Sequence, residues 1–223
     1  MAAVDECEGA EVALLTFGSR TNANRTEPSY AFMNTILRMK RMRNVPCSVY
    51  YFKAKKNDWY FGGVEGQDDF DSSVQYIQSI SKKFRKTIFL GNSMGGYAAL
   101  IFGLLSEGSS ILAFSAQTRF DAQFCDEIRE KRWQDEYAAM REARDVKSMA
   151  VLEYMKNNPE ADVNLFTGAK NSQDLAYCSE IAHYPNVRLF RFEESDHDLV
   201  HDLRSSGKLE EIIYDHVDGK LSS

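Results

Sequence analysis

The chain has 223 residues, 43% of them apolar and 12% aromatic, with a formal net charge of −6. That length suits one domain (1–223) with a sizeable core, no apolar run approaches the length needed to cross a bilayer, and the negative balance argues against a nucleic-acid partner. The acidic start (Asp5, Glu6, Glu8, Glu11) lacks the pattern of a secretory signal and the four cysteines are scattered without a C-x-x-C pair, so the expectation is a soluble cytoplasmic protein with free thiols and no membrane partner.

In chain order, a first strand is expected at 12–17, running into Gly18-Ser19-Arg20, a loop that glycine lets bend. A helix follows at 30–42, and its basic run Arg38, Lys40, Arg41 and Arg43 reads as a solvated face. The second strand, 48–52, leads to Trp59 and Tyr60, then Phe61-Gly62-Gly63, at the carboxyl edge of the sheet. A second helix is expected over 70–84, and a third strand at 87–90.

That third strand opens into Gly91-Asn92-Ser93-Met94-Gly95, followed by a helix at 97–105 that is apolar nearly all round. A serine between two glycines, framed by a buried strand and a buried helix, suits a strained turn in which side chains at 91 and 95 would collide with their neighbours. Such a turn lifts the Ser93 hydroxyl above the sheet and makes it the candidate nucleophile.

A fourth strand at 111–114 precedes a long segment, 117–162, rich in Glu, Arg, Lys and Ala between 124 and 155. It should form two or three charged helices, serving either as a small cap over the site or as an exposed crossover. Strands at 163–166 and 187–192 complete an alternation of strand and helix that calls for a parallel α/β sheet with helices on both faces.

A serine hydroxyl is a poor nucleophile near neutral pH and needs an imidazole to take its proton. His197, in the loop leaving the last expected strand, lies on the same edge as the serine turn and is the candidate base; His183, His201 and His216 read as structural or exposed. His197, Asp198 and His201 imitate the H-E-x-x-H zinc spacing, but aspartate replaces the glutamate and a third ligand is not apparent. No metal and no organic cofactor is expected.

These residues resemble the α/β-hydrolase superfamily over nearly the whole chain, the serine turn being the specific match. The resemblance implies a minimal form of that fold, with about six mostly parallel strands, the first and third side by side and the second at the edge. It also implies the chain order serine, acid, histidine, which puts the acid after the fifth strand, at Asp174. Asp174 would equally suit an N-cap of a helix starting near Leu175. Asp162 begins a strand on the wrong edge, and Asp196 and Asp198 are too near His197 along the chain. The Met94 N–H would face the oxyanion, with the Ser19 N–H as second donor. The chain departs from the fuller pattern in lacking two leading antiparallel strands and an H-G-G-G loop. More narrowly, Asn57-Asp58-Trp59-Tyr60, the GNSMGGYAAL run, Ala113-Phe114-Ser115-Ala116-Gln117-Thr118 and Asp196-His197-Asp198-Leu199-Val200 are similar to a poorly characterised bacterial group of small hydrolases sometimes associated with glycan-building enzymes, implying saccharide-linked esters.

The expected chemistry is attack of Ser93 on an ester carbonyl, with His197 as base and then acid and Asp174 orienting it. Trp59 and Tyr60 would wall the pocket or stack on a sugar, or else pack beneath their loop. Arg20 and Gln117 would bind polar substrate groups, or make ordinary loop hydrogen bonds. A short-acyl or carbohydrate ester is favoured over a long lipid, since no strongly apolar cap segment is visible. An acyltransferase or a thioesterase would share the acyl-enzyme, and a non-catalytic binding module on the same fold is the rival outside catalysis.

Overall fold

The apolar runs of the chain become the strands of one sheet. A computed structural model describes residues 3–21, 30–156 and 158–219. Among these the sheet has seven strands, β1 (Ala3–Asp5), β2 (Val12–Phe17), β3 (Cys47–Phe52), β4 (Lys86–Asn92), β5 (Ser109–Phe114), β6 (Asp162–Gly168) and β7 (Val187–Phe192), in the order β1-β3-β2-β4-β5-β6-β7. β2 to β7 pair in parallel, and only β1 runs antiparallel, against β3. This is a minimal α/β-hydrolase fold, and the six expected strands are present to within a residue or two. The seventh, β1, is an addition: three residues carry too little pattern to stand out from an acidic segment.

Along β2, Ala13, Leu15 and Phe17 face one layer while Val12 and Leu14 face the other, as the strand period of two requires. Both faces are covered, so β2, β3 and β5 are buried throughout and read as unbroken apolar runs. Helices α1 (Met33–Arg43), α8 (Leu199–Ser205) and α9 (Lys208–Asp218) supply Ile36, Met39, Leu203 and Ile213 to one layer. Helices α2 (Phe70–Ser81) and α3 (Met94–Leu104) supply Ile77, Ile80, Leu100 and Phe102 to the other. The segment 117–162 lies on that second side as α4 (Ala122–Glu127), α5 (Gln134–Ala143), a 3₁₀ turn (Val146–Met149) and α6 (Val151–Met155). After β6 comes α7 (Ser172–Ser179).

The basic run of α1 lies on the outer face, with Arg38, Arg41 and Arg43 exposed, and three of its four charges meet neighbours there. Arg38 pairs with Glu210 of α9, Lys40 with Asp5 of β1 at 2.7 Å, and Arg43 lies 4.2 Å from the Tyr214 ring centroid. No helix among the described residues is long and apolar enough to cross a membrane. Parallel pairing puts the carboxyl ends of β2 to β7 along one rim, and the loops leaving Phe17, Asn92, Gly168 and Phe192 meet there.

Candidate active site

The serine turn is built by exclusion. Ser93 sits between β4 and α3 at φ 53° and ψ −122°, a conformation that side-chain-bearing residues rarely adopt. A Cβ on Gly91 would lie 1.9 Å from the Gly95 carbonyl oxygen, and one on Gly95 would lie 2.2 Å from that of Phe17. Only glycine lets β4, α3 and the end of β2 approach this closely. The Ser93 N–H donates to Phe114 O at 2.8 Å and its carbonyl accepts from Tyr97 N at 3.1 Å, so both sides of the turn are pinned.

Met94 and the loop that carries Ser19 flank the serine turn. Met94 opens α3, and its N–H belongs to the first-turn amides that have no intrahelical acceptor, at the positive end of the helix dipole. The loop after β2 is drawn in by the Ser19 hydroxyl, which donates to Asn92 O at 2.8 Å, one residue before Ser93. The adjacency of β2 and β4, with Phe17 opposite Gly91, makes this reach short.

Asp174 is the third residue of α7 and is wholly buried. The N-cap of α7 is Asn171, whose Oδ1 accepts from Asp174 N at 2.9 Å, so the capping role weighed for Asp174 belongs to its neighbour three residues earlier. Asp174 Oδ2 lies 2.7 Å from His197 Nδ1. Facing a carboxylate oxygen, Nδ1 carries the ring proton and Nε2 is left as the acceptor.

His197 occupies the turn from β7 to α8. Its N–H donates to Asp196 Oδ1 at 2.7 Å, and its carbonyl accepts from Ser115 Oγ at 3.1 Å. Ser115 follows β5, the strand beside β4, and its own N–H is held by Phe166 O at 2.8 Å. The imidazole is therefore tied to the same rim as Ser93. Among the described residues Ser93 Oγ makes no hydrogen bond, to His197 or to any other group, and bonds of this kind tighten when substrate fills the site.

Two residues complete this centre that the sequence reading does not name. Arg132, between α4 and α5, donates from Nη1 to Asp174 Oδ1 at 2.8 Å and lies 3.1 Å from His197 Nδ1. Glu130 grips the same guanidinium through its Nε and Nη2. Burial pulls the Arg132 pKa down, but its hydrogen bonds to Glu130 and the charges of Asp174 and Glu130 outweigh it and hold it above its usual value. A Glu-x-Arg pair inside a charged helical run carries no signal that separates it from a solvated face.

Trp59, Tyr60 and Gln117 stand behind the site. Trp59 and Tyr60 are each 1% exposed, and Gln117 is fully buried. Trp59 Nε1 donates to Gln117 Oε1 at 2.9 Å, Gln117 Nε2 to Ser115 O at 3.0 Å, and the Tyr60 hydroxyl to Gly18 O at 2.8 Å. They brace the loops that carry Ser19 and Ser115, Trp59 and Tyr60 by packing beneath them and Gln117 by hydrogen bonding. Arg20 is the outlying member: it pairs with Glu136 of α5 at 2.6 Å and lines an open cavity of about 450 Å³ with Ser19, Tyr30, Asn92, His201 and Arg204.

His183 and His201 are exposed, whereas His216 is 2% exposed. No group of three or more His, Cys, Asp or Glu among the described residues could hold a metal, so the 197–201 spacing gathers no such cluster. The buried thiols offer no rival nucleophile: burial pushes Cys47 up to about 11 and Cys178 to about 12. A strained serine turn, a buried acid and an imidazole oriented by it form the apparatus of a serine-hydrolase-type, ester-acting enzyme.

No protein-family model and no curated protein sequence matches the chain. Solved structures do. The capsule O-acetyltransferase of Neisseria meningitidis serogroup A superposes with a TM-score of 0.66 at 14% identity, over 94% of this chain and 90% of that one. Its H228A mutant in complex with CoA gives 0.61 at 16% identity, over 93% and 89%. The Pyrococcus furiosus esterase Pf2001 gives 0.56 at 13% identity, over 97% and 89%. At these identities the likeness is one of fold.

Proposed function

We propose that this protein is an O-acyltransferase that carries a short acyl group from an activated donor, through an acyl-Ser93 intermediate, to the hydroxyl of a saccharide-like acceptor. The Asp174–His197 contact at 2.7 Å, on the rim that presents Ser93, is the observation that carries the acyl-enzyme chemistry. The choice of transfer is supported by the likeness in fold to a capsule O-acetyltransferase, one structure of which holds CoA.

In the first half-reaction Ser93 Oγ attacks the donor carbonyl while His197 Nε2 takes the hydroxyl proton. The Met94 and Ser19 amides hold the oxyanion, and Asp174 stabilises the imidazolium. Collapse expels the donor's thiolate or alkoxide, which leaves with the proton from Nε2. In the second half the acceptor hydroxyl gives its proton to Nε2 and attacks the acyl carbon, and collapse returns Ser93 to its hydroxyl form. In this reading Arg20, which lines the 450 Å³ cavity with Ser19, holds polar groups of the acceptor, and the 117–162 segment acts as a small cap. Ester hydrolysis is the second reading, favoured by the likeness to an esterase, and uses water in the second half.

Acetyl-CoA and nitrophenyl acetate, each given with and without a panel of oligosaccharides, separate the two. Transfer predicts thiol release that rises with acceptor, an acetylated saccharide by mass spectrometry, and neither product from Ser93→Ala. Equal release with and without acceptor, and no acetylated sugar, would reject transfer in favour of hydrolysis.

A further inference from the structure

Arg132 and Glu130 are costly residues to keep where they are. The Glu130 side chain is 1% exposed and that of Asp174 is fully buried, so one guanidinium serves two desolvated carboxylates. Burying such charges seldom adds net stability, and well-packed apolar side chains would fill the space at least as well. What the ionic arrangement supplies is direction. Glu130 Oε1 accepts from the Arg132 backbone N–H at 2.9 Å and from Nε at 2.9 Å, while Oε2 accepts from Nη2 at 2.5 Å and from Nε at 3.1 Å. A fork held at both tines cannot swing. The Trp133 ring covers it, with its centroid 4.4 Å from the guanidinium carbon and 5.5 Å from that of the His197 ring.

Of the guanidinium nitrogens, Nη1 alone is left to point away from Glu130, and it meets Asp174 Oδ1 at 2.8 Å. With Oδ1 occupied, the carboxylate has one oxygen, Oδ2, to offer the imidazole, and the plane of the carboxylate is set. The 3.1 Å approach of Nη1 to His197 Nδ1 is then a contact between two donors, since the Nδ1 proton points to Oδ2.

We propose, given Ser93, His197 and Asp174 as the acyl-transfer triad above, that Arg132 is its positioning residue, clamped by the buried Glu130 so that Nη1 fixes Asp174 with Oδ2 turned to the imidazole. Because both clamp residues lie between α4 and α5, the seating of the insertion and the aim of the triad acid are one structural event.

Arg132→Met, Arg132→Lys and Glu130→Gln should be compared with the wild type on nitrophenyl acetate, alongside Ser93→Ala and His197→Ala. Arg132→Met is expected to lower kcat by about 10- to 100-fold, the usual cost of losing an orienting partner, with KM nearly unchanged. Arg132→Lys keeps a charge beside Asp174 and should recover part of that loss, and Glu130→Gln, which keeps the arginine but loosens its fork, should fall between. A role in holding the insertion alone would lower Tm or raise KM and leave kcat in place. Should Arg132→Met not fold, Arg132→Lys and Glu130→Gln decide by the same kcat and KM split. Wild-type kcat in every clamp variant that folds, with Ser93→Ala and His197→Ala inactive, would overturn the positioning role and leave the triad standing. Full activity in those two alanine variants would instead remove the triad itself.

Discussion

At residue 93 the backbone is held in a region that costs a side-chain-bearing residue of order 1–3 kcal/mol, unless its surroundings over-determine it. They do here: Ser93 N is bonded to β5, its carbonyl to α3, and glycines at 91 and 95 let the neighbouring backbone close in. The backbone that carries the hydroxyl is thereby set before any substrate arrives. A fluorophosphonate probe should label the wild type at Ser93, and Ser93→Ala should not be labelled at all. Asp174→Asn should slow labelling by about 10³- to 10⁴-fold, because an amide at this position no longer fixes the Nδ1–H tautomer. Persistent labelling of Ser93→Ala, read by peptide mass mapping, would move the nucleophile elsewhere. Ser93, Asp174 and His197 are legible in the sequence because a glycine-framed serine has few other uses and fixes where its partners must come from. Trp59 and Tyr60 are not: aromatic residues in a loop at the active rim look the same whether they meet substrate or turn inward. Their left-handed φ angles of 49° and 66°, which turn the chain there, leave no trace in residue type.

At the scale of elements, the serine turn depends on β2, β4 and α3 touching without side chains between them. Gly95→Ala should force its new methyl into the Phe17 carbonyl and push α3 off β2. Since α3 is buried along its whole length, both Tm and the labelling rate should fall together, well beyond a surface substitution's ±0.5 kcal/mol. An alanine variant with wild-type melting and labelling would mean that α3 can shift freely, and that the glycine is not what fits it. Element order is readable because strand and helix periods differ and each expected strand is an apolar run buried between layers. The insertion is readable as helical from its composition, but its most informative residues are not. Arg132, held by Glu130 two residues before it, matters through Asp174, 42 residues away in sequence, and a charge that pairs at long range is spelled the same as one that meets water.

For the whole molecule, pH acts on the fold through His216, which holds α9 near the amino end of the sheet. Its Nδ1–H donates to Ile212 O at 2.8 Å, its carbonyl accepts from Lys86 Nζ at 2.7 Å, and Nε2 is buried with no hydrogen-bond partner among the described residues. Burial lowers its pKa from the ordinary 6.5. The native imidazole thus stays neutral where the unfolded one takes a proton. As pH falls below about 6.5 the unfolded state binds more protons, and the stability present above that value is progressively lost down to the lowered native pKa. Urea midpoints at pH 7.5 and 5.5 should therefore differ in the wild type and differ less in His216→Gln, and an unchanged difference would place the sensitivity elsewhere.

β1 has a further consequence. β3 is buried along its full length and, without Ala3–Asp5, would end the sheet as a bare row of amides and carbonyls flanked by Val49, Tyr51 and Phe52. That is the profile of a sticky edge, open to pairing with any other chain that offers one. Ala3, Val4 and Asp5, laid the opposite way across it, cover part of that row and leave the sheet to end on a shorter strand that carries a charge.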